Sequence, residues 1–360
     1  MNIVIIGLSI TSSWGNGHAT TFRALARELS AQGHRVVFLE RDVSWYAQHR
    51  DLPNPPYARV HLYRDLDGLR RGHARLVAAA DAVIVGSYVP EGIAVGEWVQ
   101  ATARGVTAFY DIDTPVTLAA LDRGECSYLE MRLIRNYDLY LSFTGGPTLA
   151  RLQREFGARL ARALYCSFDP RHYYPETVDE TWDLGYLGTW SADRQPRVDR
   201  LLLEPARQRP ERRFTVAGAM YPDSIDWPAN VELCQHIPPH EHRGFYNRQR
   251  FTLNVTRDDM RSAGWSPSVR LFEAAACGTP IISDTWPGLD ELFEPGREIL
   301  LAETSEDVLG YVEGLSEGQR RAIGRHARER VMDRHTAAHR AAELTHWLME
   351  ASETNAASAA

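Results

Sequence analysis

Short β-branched and aromatic runs alternate with stretches of helical periodicity along the whole chain. In the first half, Ile3–Ile6, Arg35–Leu39, Val60–Tyr63, Ala82–Val85, Val106–Tyr110, Leu139–Phe143 and Ala163–Tyr165 read as buried strands. Between the first two, Phe22, Leu25, Ala26 and Leu29 fall at i, i+3, i+4 and i+7, and Gly33 follows. That spacing predicts an amphipathic helix over Thr20–Gln32 with a glycine stop. Strand, amphipathic helix and strand in repetition imply a parallel sheet with helices on its faces.

The second half repeats the pattern. Leu184–Leu187, Arg213–Ala217, Phe251–Val255, Pro280–Ser283 and Ile299–Ala302 read as strands. Helices are expected at Gln195–Gln208, Glu241–Asn247, Pro267–Cys277, Ser305–Leu315 and Glu317–Val331. The segment Ser167–Thr177 holds two prolines and no periodicity, as a hinge would. The expected organisation is an α/β chain of two doubly wound domains, 1–170 and 171–335. A last helix over 336–350 is placed to cross back to the first domain. The small, polar tail 351–360 is expected to be disordered.

Composition narrows the function classes. The 360 residues suit two domains, and 44% hydrophobic with 24% charged residues is ordinary for globular cores. A formal charge of −7 argues against a nucleic-acid partner. The opening run Met1–Gly7 lacks a cationic lead and is short, so it reads as a strand, not an export signal. No stretch approaches the ~18 apolar residues of a membrane span. Cys126, Cys166, Cys234 and Cys277 are widely spaced, which fits reduced thiols in the cytoplasm.

In open parallel sheets, ligands bind beyond the carboxyl ends of the strands, so the loops there carry the candidate chemistry. The most informative is 264–283. Ser266 and Pro267 suit an N-cap and first helical position, and Gly278 followed by Pro280 suits the end. The amides of Ser268 and Val269 at such a helix start, with Arg270 in its first turn, make an anion site. Glu273, further along, offers a carboxylate to vicinal ribose hydroxyls. Gly188 closes the strand Leu184–Leu187, and Arg194 follows as a second candidate cation, with Arg197 behind it. In the first half, Gly15, Asn16 and Gly17 precede His18 at a helix start. A dinucleotide fingerprint does not fit that loop, because Thr20 stands where the third glycine belongs.

The segment from Ser266 to Glu273, with Cys277-Gly-Thr-Pro280 and Asp284-Thr-Trp-Pro-Gly288, resembles the donor motif of GT-B glycosyltransferases, most closely the CgeB-type branch of the glycosyl-transferase group 1 superfamily. The likeness extends to Phe109–Pro115, Phe143–Gly146 and Leu187–Arg194. It implies two Rossmann-like domains facing each other across a cleft, a nucleotide sugar held by the second, and Glu273 on its ribose. It places Gly15, Asn16 and Gly17 in an acceptor loop, with His18 as general base helped by Asp111 or Asp113. It places base-contacting groups near His236. Asp111-Ile-Asp113 also has the form of a metal-binding D-x-D, but that motif belongs to the other major glycosyltransferase fold, so no metal is expected. Trp265 stands where family-four retaining relatives carry a second glutamate, so their sugar rule and stereochemistry do not transfer.

The expected function is metal-independent transfer of a hexosyl-type sugar from a nucleotide-diphosphate sugar, first of all a UDP-sugar, to an acceptor hydroxyl. The sugar donor is a co-substrate, and no cofactor is required. The alternatives are an epimerase or hydrolase of the same fold, and a non-catalytic sugar-nucleotide-binding protein. Neither acceptor nor oligomeric state is fixed by the sequence.

Overall fold

The computed structural model describes residues 1–15 and 17–359. They form two compact units, Met1–Cys166 with the C-terminal helix Ala337–Ala359, and Ser167–Thr336.

The first unit holds a sheet of seven strands, all parallel: β1 (Asn2–Gly7), β2 (Arg35–Arg41), β3 (Arg59–Tyr63), β4 (Ala82–Gly86), β5 (Val106–Asp111), β6 (Leu139–Ser142) and β7 (Ala161–Ala163). Their order is β3-β2-β1-β4-β5-β6-β7. The order reverses between β1 and β4, which makes the loops after those strands flank the switch point where open α/β sheets bind ligands. Strands buried on both faces explain the continuous apolar runs: Ile3, Ile5 and Ile84 pack one side, Val4, Ile6 and Val85 the other. The last strand begins two residues earlier than its apolar run suggested, because Ala161 pairs with Tyr140.

The second unit has six parallel strands: β8 (Trp182–Leu187), β9 (Phe214–Ala217), β10 (Val231–Cys234), β11 (Gln249–Asn254), β12 (Ile281–Ser283) and β13 (Leu300–Leu301). The order β10-β9-β8-β11-β12-β13 puts its switch point between β8 and β11. Strand β10 does not stand out in the sequence, because Glu232 and Leu233 are exposed on an edge strand and only Val231 is buried. Each parallel sheet with its flanking helices is a Rossmann-like domain.

Two expectations are corrected. The helix expected from Pro267 starts at Val269, with Ser268 as N-cap in extended backbone. Its Ser268 hydroxyl donates to Asn254 Oδ1 at 2.8 Å instead of capping the helix. The segment expected to be a disordered tail is helical through Ala359. Ala341, Leu344, Leu348 and Ala351 of that helix are buried with Ile3, Phe22 and Leu29, so its apolar face lies in the first unit's core. Alanine-rich sequence has high helix propensity and continues a helix once one face is anchored. No helix of the described residues is long and apolar enough to cross a membrane.

Candidate functional site

Arg270 organises the second unit's switch point. Its Nε donates to the Leu187 carbonyl at the end of β8, and its Nη1 donates to Asn254 Oδ1 at the end of β11, at 2.7 Å. The guanidinium lies 4.9 Å over the Tyr186 ring, and the residue is only 7% exposed. One side chain thus ties together the two strands that diverge there. Gly188 is required by this packing: a side chain would stand 2.7 Å from the Tyr186 hydroxyl and 3.0 Å from Arg270 Nη2.

Arg194 approaches the same place from the loop after β8. Its Nε donates to Ser191 Oγ at 2.9 Å and its Nη2 to the Thr189 carbonyl. Burial holds its guanidinium below the usual value, opposed first by Tyr186 and then by Tyr221 and the Asp193 carboxylate, with the nearby Arg270 cation adding to the lowering. Among the described residues neither Arg194 nor Arg270 pairs with a carboxylate. Arg197 is different. It pairs with Asp258 at 2.6 Å and Asp284 at 3.5 Å, so its charge is spent inside the fold. Two neighbouring cations with no direct ion pair, and only Asp193 attracting Arg194 from further off, are costly unless an anion joins them.

The helix Val269–Ala276 begins beside them. Ser268 and Val269 are partly exposed. Helix starts carry unsatisfied amides and the positive end of the dipole, so this one adds to the field of both arginines. Glu273 lies one turn further along and is 3% exposed. Its Oε2 accepts from the Tyr246 hydroxyl at 3.1 Å and stands 3.7 Å from His242 Nδ1. Burial alone would lower the His242 imidazole, but the Glu273 carboxylate outweighs it and holds it above its usual value. Trp265, in the position of the missing glutamate, is left-handed at φ 43° and lies flat against Gly288, where a side chain would stand 2.5 Å from the indole.

A cavity of about 600 Å³ opens beyond β9 and β10, lined by Tyr221, Trp227, Cys234, Gln235 and His236. The Tyr221 hydroxyl donates to the Gly188 carbonyl at 3.0 Å, so this cavity adjoins the loop that carries Arg194. The exposed His236 lies on its rim. In the sequence Tyr221-Pro222 is a candidate cleft-lining pair that reads as packing, and Trp227 carries no signal of its own.

In the first unit, His18 opens the helix His18–Ala31 after Gly17, at the switch point. It is 7% exposed, its Nδ1 has no hydrogen-bond partner among the described residues, and burial lowers its imidazole to about 4. Gly15 sits at φ 65°, which suits glycine, whereas Gly17 at φ −78° has an ordinary backbone. Asn16 lies outside the described residues. Asp111, one candidate for orienting a His18 base, has its carboxylate oxygens engaged by other groups. Asp111 is fully buried and accepts from the Tyr140 hydroxyl at 2.6 Å and Thr117 Oγ1 at 2.8 Å. Burial, against those hydrogen bonds, pushes its carboxyl up to about 6. Asp113 is half-buried at the head of the helix Thr114–Asp122.

Tyr88 stands between these groups. It follows β4, takes a left-handed φ of 61°, and meets the His18 ring edge-on with centroids 5.5 Å apart. Burial and then the Asp113 carboxylate raise its phenol well above the usual range. Nothing in the apolar pattern marks it. A non-glycine residue in that backbone region beside a sheet switch point is the structural signal. A second cavity, of about 630 Å³ near Met1, His34 and Asp81, lies at the opposite, amino-terminal edge of this sheet.

Residues 194–346 match a family model described as glycosyl transferase-like. No curated protein matches the chain by sequence. Among solved structures the chain is similar to sucrose-phosphate synthase from Thermosynechococcus elongatus, at 15% identity and TM-score 0.69, covering 98% of this chain and 100% of that one. It is also similar to Anabaena HepE in complex with UDP, at 14% identity and TM-score 0.69, covering 97% and 100%. An alpha-glucosyltransferase in complex with UDP-glucose and DNA containing an abasic site matches at 12% identity and TM-score 0.69, covering 97% and 99%. These likenesses establish the fold as GT-B, and residues 194–346 as glycosyl transferase-like in sequence.

Proposed function

We propose that the protein is a GT-B glycosyltransferase of the CgeB-like branch, transferring a sugar from a nucleoside-diphosphate sugar to an acceptor hydroxyl. The observation that carries this reading is the pair Arg194 and Arg270. Two adjacent, largely buried cations without carboxylate partners stand beside a helix start at a sheet switch point. A diphosphate supplies the missing negative charge. HepE and the alpha-glucosyltransferase, solved with UDP or UDP-glucose, favour a uridine donor. The cavity at His236 and Trp227 suits a base connected to that diphosphate.

In this reaction the bond from the anomeric carbon to the β-phosphate oxygen breaks, and the acceptor oxygen bonds to that carbon. Charge develops on the departing diphosphate, where Arg194, Arg270 and the helix start stabilise it without a metal. The acceptor proton leaves to a base of the first unit. His18 is unprotonated at neutral pH and is one candidate; Asp113, beside Tyr88, is the other. Glu273 acts on ribose through a carboxylate positioned by Tyr246 and His242.

The test is incubation with UDP-glucose, UDP-galactose and UDP-N-acetylglucosamine, each with and without acceptor sugars and alcohols. Acceptor-dependent UDP release is expected. UDP release or sugar interconversion at full rate without acceptor would assign a hydrolase or epimerase instead.

A further inference from the structure

Of the nine tryptophans in the chain, two are exposed, Trp14 at 51% and Trp45 at 53%. Trp14 lies in the loop after β1 and Trp45 in the short helix Ser44–Ala47 after β2, neighbouring strands at the carboxyl edge of the first sheet. The Trp14 indole lies parallel to the His49 imidazole, with centroids 4.6 Å apart and 13° between planes. Trp45 and His49 are four positions apart across one helical turn, Ser44–Ala47 continued by the His49 amide to the Tyr46 carbonyl at 3.0 Å.

These aromatic faces are held rigidly. The Ser13 amide and hydroxyl both donate to Asp51 at 2.9 Å. Arg23 clamps the same carboxylate through two hydrogen bonds of 2.8 Å, and donates to the Ile10 carbonyl at 2.8 Å. Ser12 Oγ donates to the His49 carbonyl at 2.8 Å, and the Leu52 amide to the Thr11 carbonyl at 3.0 Å. The two loops are thereby one fixed body, and the rings need little ordering when a ligand arrives.

The surrounding charge decides the ligand class. Arg23 pairs with Asp51, Arg50 with Asp42, and Arg41 with Glu91. These three guanidiniums are therefore neutralised, unlike Arg194 and Arg270, which weakens the pull on a phosphodiester, whereas Arg64, exposed after β3, has no ion pair among the described residues. Flat, exposed, charge-neutral indoles match the apolar faces of neutral sugar rings, whose hydroxyls stay solvated at the rim.

We infer that Trp14, backed by His49 and extended by Trp45, is a saccharide platform, and that the acceptor of the transferase is a neutral carbohydrate or carries one. The inference rests on the glycosyltransferase reading for the word acceptor, while the platform itself is tested independently of donor chemistry.

The experiment uses full-length protein, with and without UDP. Maltose, cellobiose, lactose and N,N′-diacetylchitobiose, at concentrations on the order of 10 mM, are probed by saturation-transfer NMR and tryptophan fluorescence. At least one disaccharide is expected to bind through its ring protons. Its affinity should fall about tenfold or more in Trp14→Ala and stay within about threefold in Trp14→Phe. Trp45→Ala, also at an exposed site, gives a second reading should Trp14→Ala melt early. UDP affinity should be the same in all variants. Disaccharides that do not bind, or bind Trp14→Ala and Trp45→Ala as well as the parent, overturn the platform. So does displacement of the bound sugar by oligothymidylate, which would make it a base-stacking surface. Failure of UDP to bind instead sinks the transferase reading and leaves the sugar measurement to stand alone.

Discussion

Replacing Arg270 with Met separates what this cation does for the fold from what it does for a ligand. The substitution keeps an unbranched side chain over the Tyr186 ring, where the guanidinium lies at 4.9 Å. It orphans the Leu187 carbonyl, at a cost of about 1–2 kcal/mol. Asn254 Oδ1 keeps its bond from Ser268 at 2.8 Å, so that acceptor stays satisfied. Against this, a cation that is 7% exposed and lacks a carboxylate partner is removed, which returns desolvation free energy of similar size. The melting temperature without ligand should therefore move by only a few degrees. Binding should change far more. Loss of charge-assisted contacts to a diphosphate is worth about 2–3 kcal/mol, or roughly 30- to 150-fold in UDP affinity. Uridine lacks the diphosphate and should bind parent and variant alike. Calorimetric titration of UDP and uridine reads both effects. Equal UDP affinity in the two proteins, or an equal loss for uridine, would refute the reasoning.

Two further outcomes follow from the geometry. Folding keeps His18 neutral down to about pH 4, below its usual 6.5, so its stabilising preference is intact above pH 6.5 and is lost as pH falls toward 4. Urea unfolding at pH 7.5 and 4.5 should show the parent losing about 2–3 kcal/mol more than His18→Leu over that interval; identical pH dependence would mean the imidazole is well solvated. Glu273→Gln should weaken UDP binding less than Glu273→Ala, because the amide oxygen still accepts from Tyr246; equal affinity of all three proteins for UDP would remove Glu273 from the donor site.

The strands were legible because a parallel sheet covered on both faces needs uninterrupted β-branched runs, as in Ile3–Ile6 and Ala82–Val85. Strand β10 was not, since an edge strand with Glu232 and Leu233 exposed has no such run. The Ser266-Pro267 pair reads as a cap locally, yet Asn254, a distant residue at the end of β11, recruits the Ser268 hydroxyl and the helix starts later. Sequence brought Arg194 and Arg270 to adjoining loops but could not show that Arg197 differs by having Asp258 and Asp284 as partners. Asp111 sits at the expected sheet edge, and only the structure shows its oxygens taken by Tyr140 and Thr117. Tyr88 is invisible to periodicity because its role rests on a left-handed backbone. Alanine and small polar residues at 351–359 look disordered until Leu344 and Leu348 anchor the preceding turns.

A crystal structure of the protein with UDP addresses the donor site most directly. The diphosphate is predicted between Arg194, Arg270 and the start of the helix at Val269, with uracil in the cavity lined by Tyr221, Trp227 and His236. A nucleotide seated anywhere else on the molecule, or no UDP bound at millimolar concentration, would contradict the account.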